Sequence, residues 1–254
     1  MKRLHILFLL FIGLFVRLSA QVTCLPVFPT VDDNITITYD ASQGNGALKG
    51  AGPVYAHMGL ITNESTSPSD WKWVATTWGT TTSASQMTAA GTDKWTKTFN
   101  IRTFFNITPS VTVLRMAFVF RNASGSIVGR AADGSDIFYD VYPVNGPLAT
   151  RILQPAASVF LLKTGDQISV SAAASKSGDL FLYDNGQEAA KANGNTLNAT
   201  LTAGATGLHQ VNFVAVAGSE RDTSSFTYII PDNLARQDPA AGTELGGQYT
   251  GSTS

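Results

Sequence analysis

The chain has 254 residues, 17 Lys and Arg against 18 Asp and Glu, a formal net charge of -1 and 14% charged residues, against roughly 25% in an average soluble domain. A protein that binds nucleic acid neutralises phosphates with clustered Lys and Arg. Here the basic residues are scattered, and nucleic acid is excluded as a partner.

In chain order, residues 1–20, "MKRLHILFLLFIGLFVRLSA", carry Lys2 and Arg3, an apolar run from Leu4 to Val16 and small residues ending at Ala20. This is the pattern of a secretory signal peptide. Its apolar core is shorter than the ~20 residues of a transmembrane helix, and no later stretch approaches that length. The expected location is therefore secreted or cell-surface, with no transmembrane span. Cys24, the one cysteine, excludes an intrachain disulfide framework. It reads as a free thiol in preference to a lipid anchor, because the preceding "QVT" matches a lipobox poorly.

Beyond the leader, no segment sustains apolar residues at helical spacing over ten positions. Short runs rich in Val, Ile, Thr, Phe and Tyr recur between Gly, Asn, Asp, Ser and Pro clusters, which predicts strands. The first set is 35–41, 53–61, 71–78, 94–101, 111–122 and 137–143. In "ITITYDA" Ile35, Ile37 and Tyr39 share one face, Thr36, Thr38 and Asp40 the other, so one side is dry and one wet, as a two-sheet sandwich needs. After the Pro and Gly boundary "YPVNGP" (142–147) a second set follows at 157–165, 167–175, 179–186, 195–203, 207–218 and 224–231. Its "YDNGQ" turn at 183–187 is the strongest hairpin signal in the chain.

These elements predict an all-β protein: two tandem immunoglobulin-like β-sandwich domains after a signal peptide. The expected boundaries are 1–20 for the leader, 21–145 and 146–232 for the sandwiches, and 233–254 for a linker to a further module. The linker reading rests on a polar, Gly- and Pro-containing tail without apolar periodicity.

Chemistry-bearing residues are few. His57 and His209 stand at no metal-ligand spacing with another His or Cys, and each alternates within a predicted strand, which suits hydrogen bonding or a surface position. There is no "GxSxG" elbow and no phosphate loop. "DGSDIFYD" gathers Asp133, Asp136 and Asp140. Such a loop can hold calcium, which takes six to eight oxygens, or can be a β-turn at Asp133-Gly134, and the turn is the favoured reading. No cofactor is expected.

The aromatics are the informative feature. "SDWKWVATTWGT" (69–80) holds three of the four tryptophans. As a strand it places Trp71 and Trp73 on one face and Trp78 on the other. An indole is flat and apolar with one N–H, which suits stacking on a sugar ring, and equally suits a core. Tyr55 and Trp95, on other predicted strands, either extend such a surface or fill the sandwich. Polar runs at 63–69 and 80–86 supply neutral donors and acceptors.

The run from "FPTVDDNITITYDASQGNGALKGAGPVYAHMGLIT" through "DWKWVATTWG", continued by "LRMAFVFRNASGSIVGRAADGSDIFYDVYP", resembles the N-terminal accessory domain of secreted α-amylase-type (family 13) glycoside hydrolases of Bacteroidetes-like bacteria. The resemblance covers residues 28–143, and the tail "RQDPAAGTELGGQY" is similar to the region leading into the next module of such enzymes. It implies a polysaccharide context, an α-glucan such as starch as partner, and a catalytic barrel downstream in cis. No stretch matches the family's catalytic motifs, so no catalytic residue carries over. Two readings stay open: a carbohydrate-binding region whose carriers are Trp71, Trp73, Trp78, Tyr55 and Trp95, or a spacer that binds nothing.

Overall fold

A computed structural model describes residues 21–232; the leader and the expected linker at 233–254 lie outside the described residues. The first half forms β1 (Val22–Leu25), β2 (Asn34–Asp40), β3 (Tyr55–Thr62), β4 (Thr88–Ala89), β5 (Lys94–Asn100), a helical turn α1 (Ile101–Phe105), β6 (Val113–Arg121), β7 (Val128–Gly129) and β8 (Ile137–Asp140). One sheet runs β1-β2-β5-β4, the other β3-β6-β7 with β8 also on β6. The period-2 pattern puts Ile35, Ile37 and Tyr39 of the first sheet against Met58, Leu60, Met116, Phe118 and Phe120 of the second, all buried in one cluster. Tyr39 stacks on Phe120 at 3.8 Å between ring centroids. Its buried hydroxyl leaves room for no side chain at Gly129, where an added Cβ would sit 2.2 Å from it.

Cys24 lies within β1, opposite Ile37, with its thiol in this core. Burial, with the Asp33 charge adding, pushes the thiol's pKa up to about 12, so it stays protonated and inert.

The second half comprises β9 (Thr150–Gln154), β10 (Val159–Leu161), β11 (Gln167–Asp184), β12 (Gln187–Thr202), β13 (Gly207–Ala217) and β14 (Glu220–Ile230). The segments expected as separate strands at 167–175 and 179–186 are one strand of 18 residues. Its first part pairs with β9 and the end of β12, and its second part with β13 and the start of β12. Ile168, Val170, Ala172, Ala174, Leu180 and Leu182 share one parity and one core, so the sheet folds around its own apolar face. Register shifts between Ala173 and Gly178 break the ladder, and Gly178 is required there: an added Cβ would lie 2.1 Å from the Val216 carbonyl oxygen. The "YDNGQ" hairpin is present as expected, with Asn185 and Gly186 both at positive φ.

The expected strand at 71–78 is absent. Residues 63–87 form a long loop that follows the open edge of β3, touching it at the Leu60–Lys72 bridge. Leu60 and Lys72 exchange both backbone hydrogen bonds at 2.8 and 2.7 Å, the Ala75 N–H donates to Met58 O at 3.1 Å, and the Ala56 N–H donates to Ser85 O at 2.7 Å. The loop thus covers an edge that would otherwise present unpaired backbone groups. Trp73 takes φ +50°, which ends any strand alternation through the cluster.

Candidate functional site

Alternation decides what lies on the outer face of β3 and β6. Ala56, Met58 and Leu60 point into the core, so Tyr55, His57 and Gly59 point outward, opposite Arg121, Val119 and Ala117. The 63–87 loop folds over this face. Trp71 stacks on His57 (ring centroids 5.7 Å, interplanar 24°) and Trp78 meets the same imidazole edge-on at 5.4 Å. Gly59 permits the first contact, since a Cβ there would lie 2.9 Å from Trp71 Cε3.

Arg121 is the anchor. It is fully buried, its guanidinium lying 5.3 Å from the Tyr55 ring centroid and 5.7 Å from that of Trp78. Its Nη1 donates to the carbonyls of Asn122 (3.0 Å) and Ala123 (2.9 Å), and its Nη2 donates to Thr80 O. One side chain therefore ties the Trp78 loop to the 122–127 turn. Ser85, also fully buried, closes the loop from within by donating to the Thr80 and Thr82 carbonyls.

The five aromatic residues singled out in sequence are thereby separated. Trp78 is exposed (44%), lies beside Gly125, whose lack of a side chain leaves the indole its room, and borders a rim in which Asn122, Ser124 and Ser126 bond one another. Trp71 is half-buried next to it. Trp73 packs on the core, so it does not share a face with Trp71 as a strand would have required. Tyr55 is buried beneath Arg121, and Trp95, on the opposite sheet, packs inward beside Tyr39. The exposed aromatic surface is thus Trp78, with Trp71 half-buried beside the same imidazole.

The acidic cluster disperses. Asp133 caps its own turn, accepting from Ser135 N–H and Oγ, which holds its carboxyl below the usual range. Asp136 pairs with Arg130, and Asp140 lies 3.8 Å from Arg151. Among the described residues, no group of three His, Cys, Asp or Glu converges on a metal position.

Sequence reasoning did not single out Arg121, Thr76 or Ser85, because an Arg at an outward strand position reads as solvated until a non-local loop covers it. Elsewhere, a cavity of about 360 Å³ lies between the two sandwiches, bordered by Phe28, Tyr142, Pro143 and Lys176. It contains no residue of the aromatic platform.

The strand order and the two separate cores define tandem immunoglobulin-like β-sandwiches. Residues 22–128 match a family model described as a domain of unknown function (DUF8578). No curated protein matches the chain. Among solved structures, it is similar to the fibronectin(III)-like modules of Clostridium thermocellum CbhA at 13% identity and TM-score 0.27, covering 33% of this chain and 96% of theirs. It is also similar to the three N-terminal domains of the bacteriophage RB49 outer capsid protein Hoc, at 10% identity and TM-score 0.26, covering 84% of this chain and 58% of that one. The four N-terminal Ig domains of Dscam1 isoform 8.4 share 10% identity at TM-score 0.25, covering 80% and 42%. Among the described residues, no helix is long and apolar enough to cross a membrane.

Proposed function

We propose that the chain is a non-catalytic accessory region of a secreted α-amylase-type glycoside hydrolase, in which the first sandwich holds an α-glucan against Trp78 and a catalytic domain follows in cis. The observation that carries the site is the exposed indole of Trp78, braced from below by Arg121 and rimmed by neutral hydroxyl and amide groups. A flat apolar surface with neutral donors and acceptors at its edge is complementary to an uncharged sugar. The α-glucan itself comes from the resemblance of residues 28–143.

Affinity electrophoresis of the full chain in amylopectin gels tests this. Retardation is expected, with Trp78→Ala weakening it about tenfold, equivalent to about 1.4 kcal/mol, and Trp95→Phe leaving it unchanged. Wild-type migration equal to that of Trp78→Ala would sink the binding claim. That outcome would favour the second reading, a rigid spacer, which draws its support from the Arg151 contacts between the two sandwiches.

A further inference from the structure

The platform contains one histidine, and its surroundings decide which ring nitrogen carries the proton. His57 Nδ1 lies 3.0 Å from Thr76 Oγ1, and the same oxygen accepts the Met58 N–H at 3.2 Å. Thr76 is buried, and among the described residues His57 Nδ1 is the one acceptor its hydroxyl proton reaches. A buried hydroxyl proton without an acceptor is costly. The Thr76 O–H therefore donates to Nδ1, which must present a lone pair, and the ring proton sits on Nε2. Nε2 has no protein partner among the described residues and is not among the buried unpaired atoms. It is therefore exposed, on an imidazole that Trp71 stacks against and Trp78 meets at 89°.

We infer that His57 is the specificity-determining polar contact of the platform: a neutral imidazole held in one tautomer, whose Nε2–H donates to an acceptor oxygen of a sugar stacked on Trp78. This rests on the glycan reading of the site. A second proton is opposed by burial and by the Arg121 charge, which together hold the His57 pKa below the usual histidine value. The other polar groups of the rim, Asn122, Ser124 and Ser126, are engaged with one another. His57 thus adds a donor that has no protein partner among the described residues, and the indole supplies the apolar surface.

Long-range proton–nitrogen spectra of the full chain with labelled histidine read the tautomer directly. Nε2 is expected protonated and Nδ1 unprotonated, and maltohexaose is expected to shift Nε2 more than Nδ1. His57→Gln, which keeps a donor near the Nε2 position, is expected to hold maltohexaose within about threefold of wild type, and His57→Phe to lose about tenfold. Thr76→Val is expected to release a mixture of tautomers.

The reverse tautomer, or equal affinity of wild type and His57→Phe, overturns the inference while leaving the platform intact. Absence of maltohexaose binding by wild type overturns the glycan reading and the inference with it.

Discussion

Arg121 is a cation that the fold encloses without a carboxylate: among the described residues no acid lies within ion-pair distance of it. Its charge is met by the carbonyls of Thr80, Asn122 and Ala123 and by the faces of Tyr55 and Trp78. Arg121→Met removes the donors and leaves the Ala123 carbonyl without its partner, while Thr80 O keeps Ser85 Oγ and Asn122 O keeps the Gly125 N–H, at an expected cost of about 1–3 kcal/mol in urea unfolding. Trp78 emission should shift red even where the variant stays folded. At the second sandwich His209 obeys a different logic. Nε2 faces the Ala205 carbonyl at 2.9 Å and Nδ1 the Asp184 carboxylate at 3.0 Å. The Tyr228 hydroxyl, 2.9 Å from Nδ1, donates its proton to Asp184, so both nitrogens face acceptors and both are satisfied when the ring is an imidazolium. Burial pulls its pKa down, but the Ala205 carbonyl and Asp184 outweigh it, and the net shift is upward. Tyr228, stacked on His209 and donating to Asp184, is pushed up to about 12 by burial and then by Asp184, so it does not titrate in the same range. With the folded value above the unfolded value of about 6.5, the contribution is complete below about pH 6.5 and is lost as pH rises through the folded value. The melting temperature should therefore decline as pH rises above about 6.5, and His209→Phe should flatten that decline. An unchanged slope would remove His209 as its source.

The misread segment at 71–78 shows what local pattern resolves. Trp, Val and Thr favour strands, and their spacing in "WKWVATTW" fits one, yet the segment forms only a single bridge to β3 at Lys72. Its shape is set by partners more than ten residues away: Leu60, Met58, Ala56 and Arg121. Those contacts exist only after β3 and β6 have paired, so no window of the sequence contains them. Likewise β1 and β9 escaped notice because "VTCL" and "TRILQ" are short and take their register from β2 and β11. By contrast β2, β13 and β14 were legible because each alternates against a dry core over much of its length, and β6 because its apolar run, buried on both faces, is bounded by turn residues. His57 was legible only as a residue on a strand. Its role depends on Thr76, nineteen positions away. The close approach that the loop requires is testable at Gly59. Gly59→Ala puts a methyl 2.9 Å from the Trp71 ring. It should displace Trp71 from His57, lower stability by about 1–3 kcal/mol and change near-ultraviolet circular dichroism. Retention of the wild-type spectrum would show that the ring can give way.

At the scale of the whole molecule, strand register places the platform and the junction at opposite ends of β6. Arg121 pairs with Tyr55 at one end, and Arg115 pairs with Asp140 near the other. Six residues of strand separate them, about 20 Å at 3.3 Å per residue. The Trp78 surface therefore lies at the end of β6 remote from the Asp140–Arg151 contact. At the junction Arg151 of β9 reaches back into the first sandwich. Its Nη1 donates to Tyr139 Oη at 3.1 Å and its Nη2 to Tyr142 Oη at 3.0 Å. The guanidinium also lies 5.3 Å from the Tyr139 ring centroid and 5.7 Å from that of Phe28. Independent motion is the default for modules joined through a small polar interface, and Arg151 opposes it with a planar cation that both stacks and donates. Arg151→Ala removes every one of these contacts without touching either core. Amide residual dipolar couplings should fit one alignment tensor for both sandwiches in wild type and two in the variant, with little change in the melting of either. A rigid junction would carry the Trp78 face outward as the end of a lever, which suits both a glycan-positioning region and a spacer. Two tensors in wild type would mean that Arg151 does not lock the pair, and the spacer reading would lose the observation that supports it.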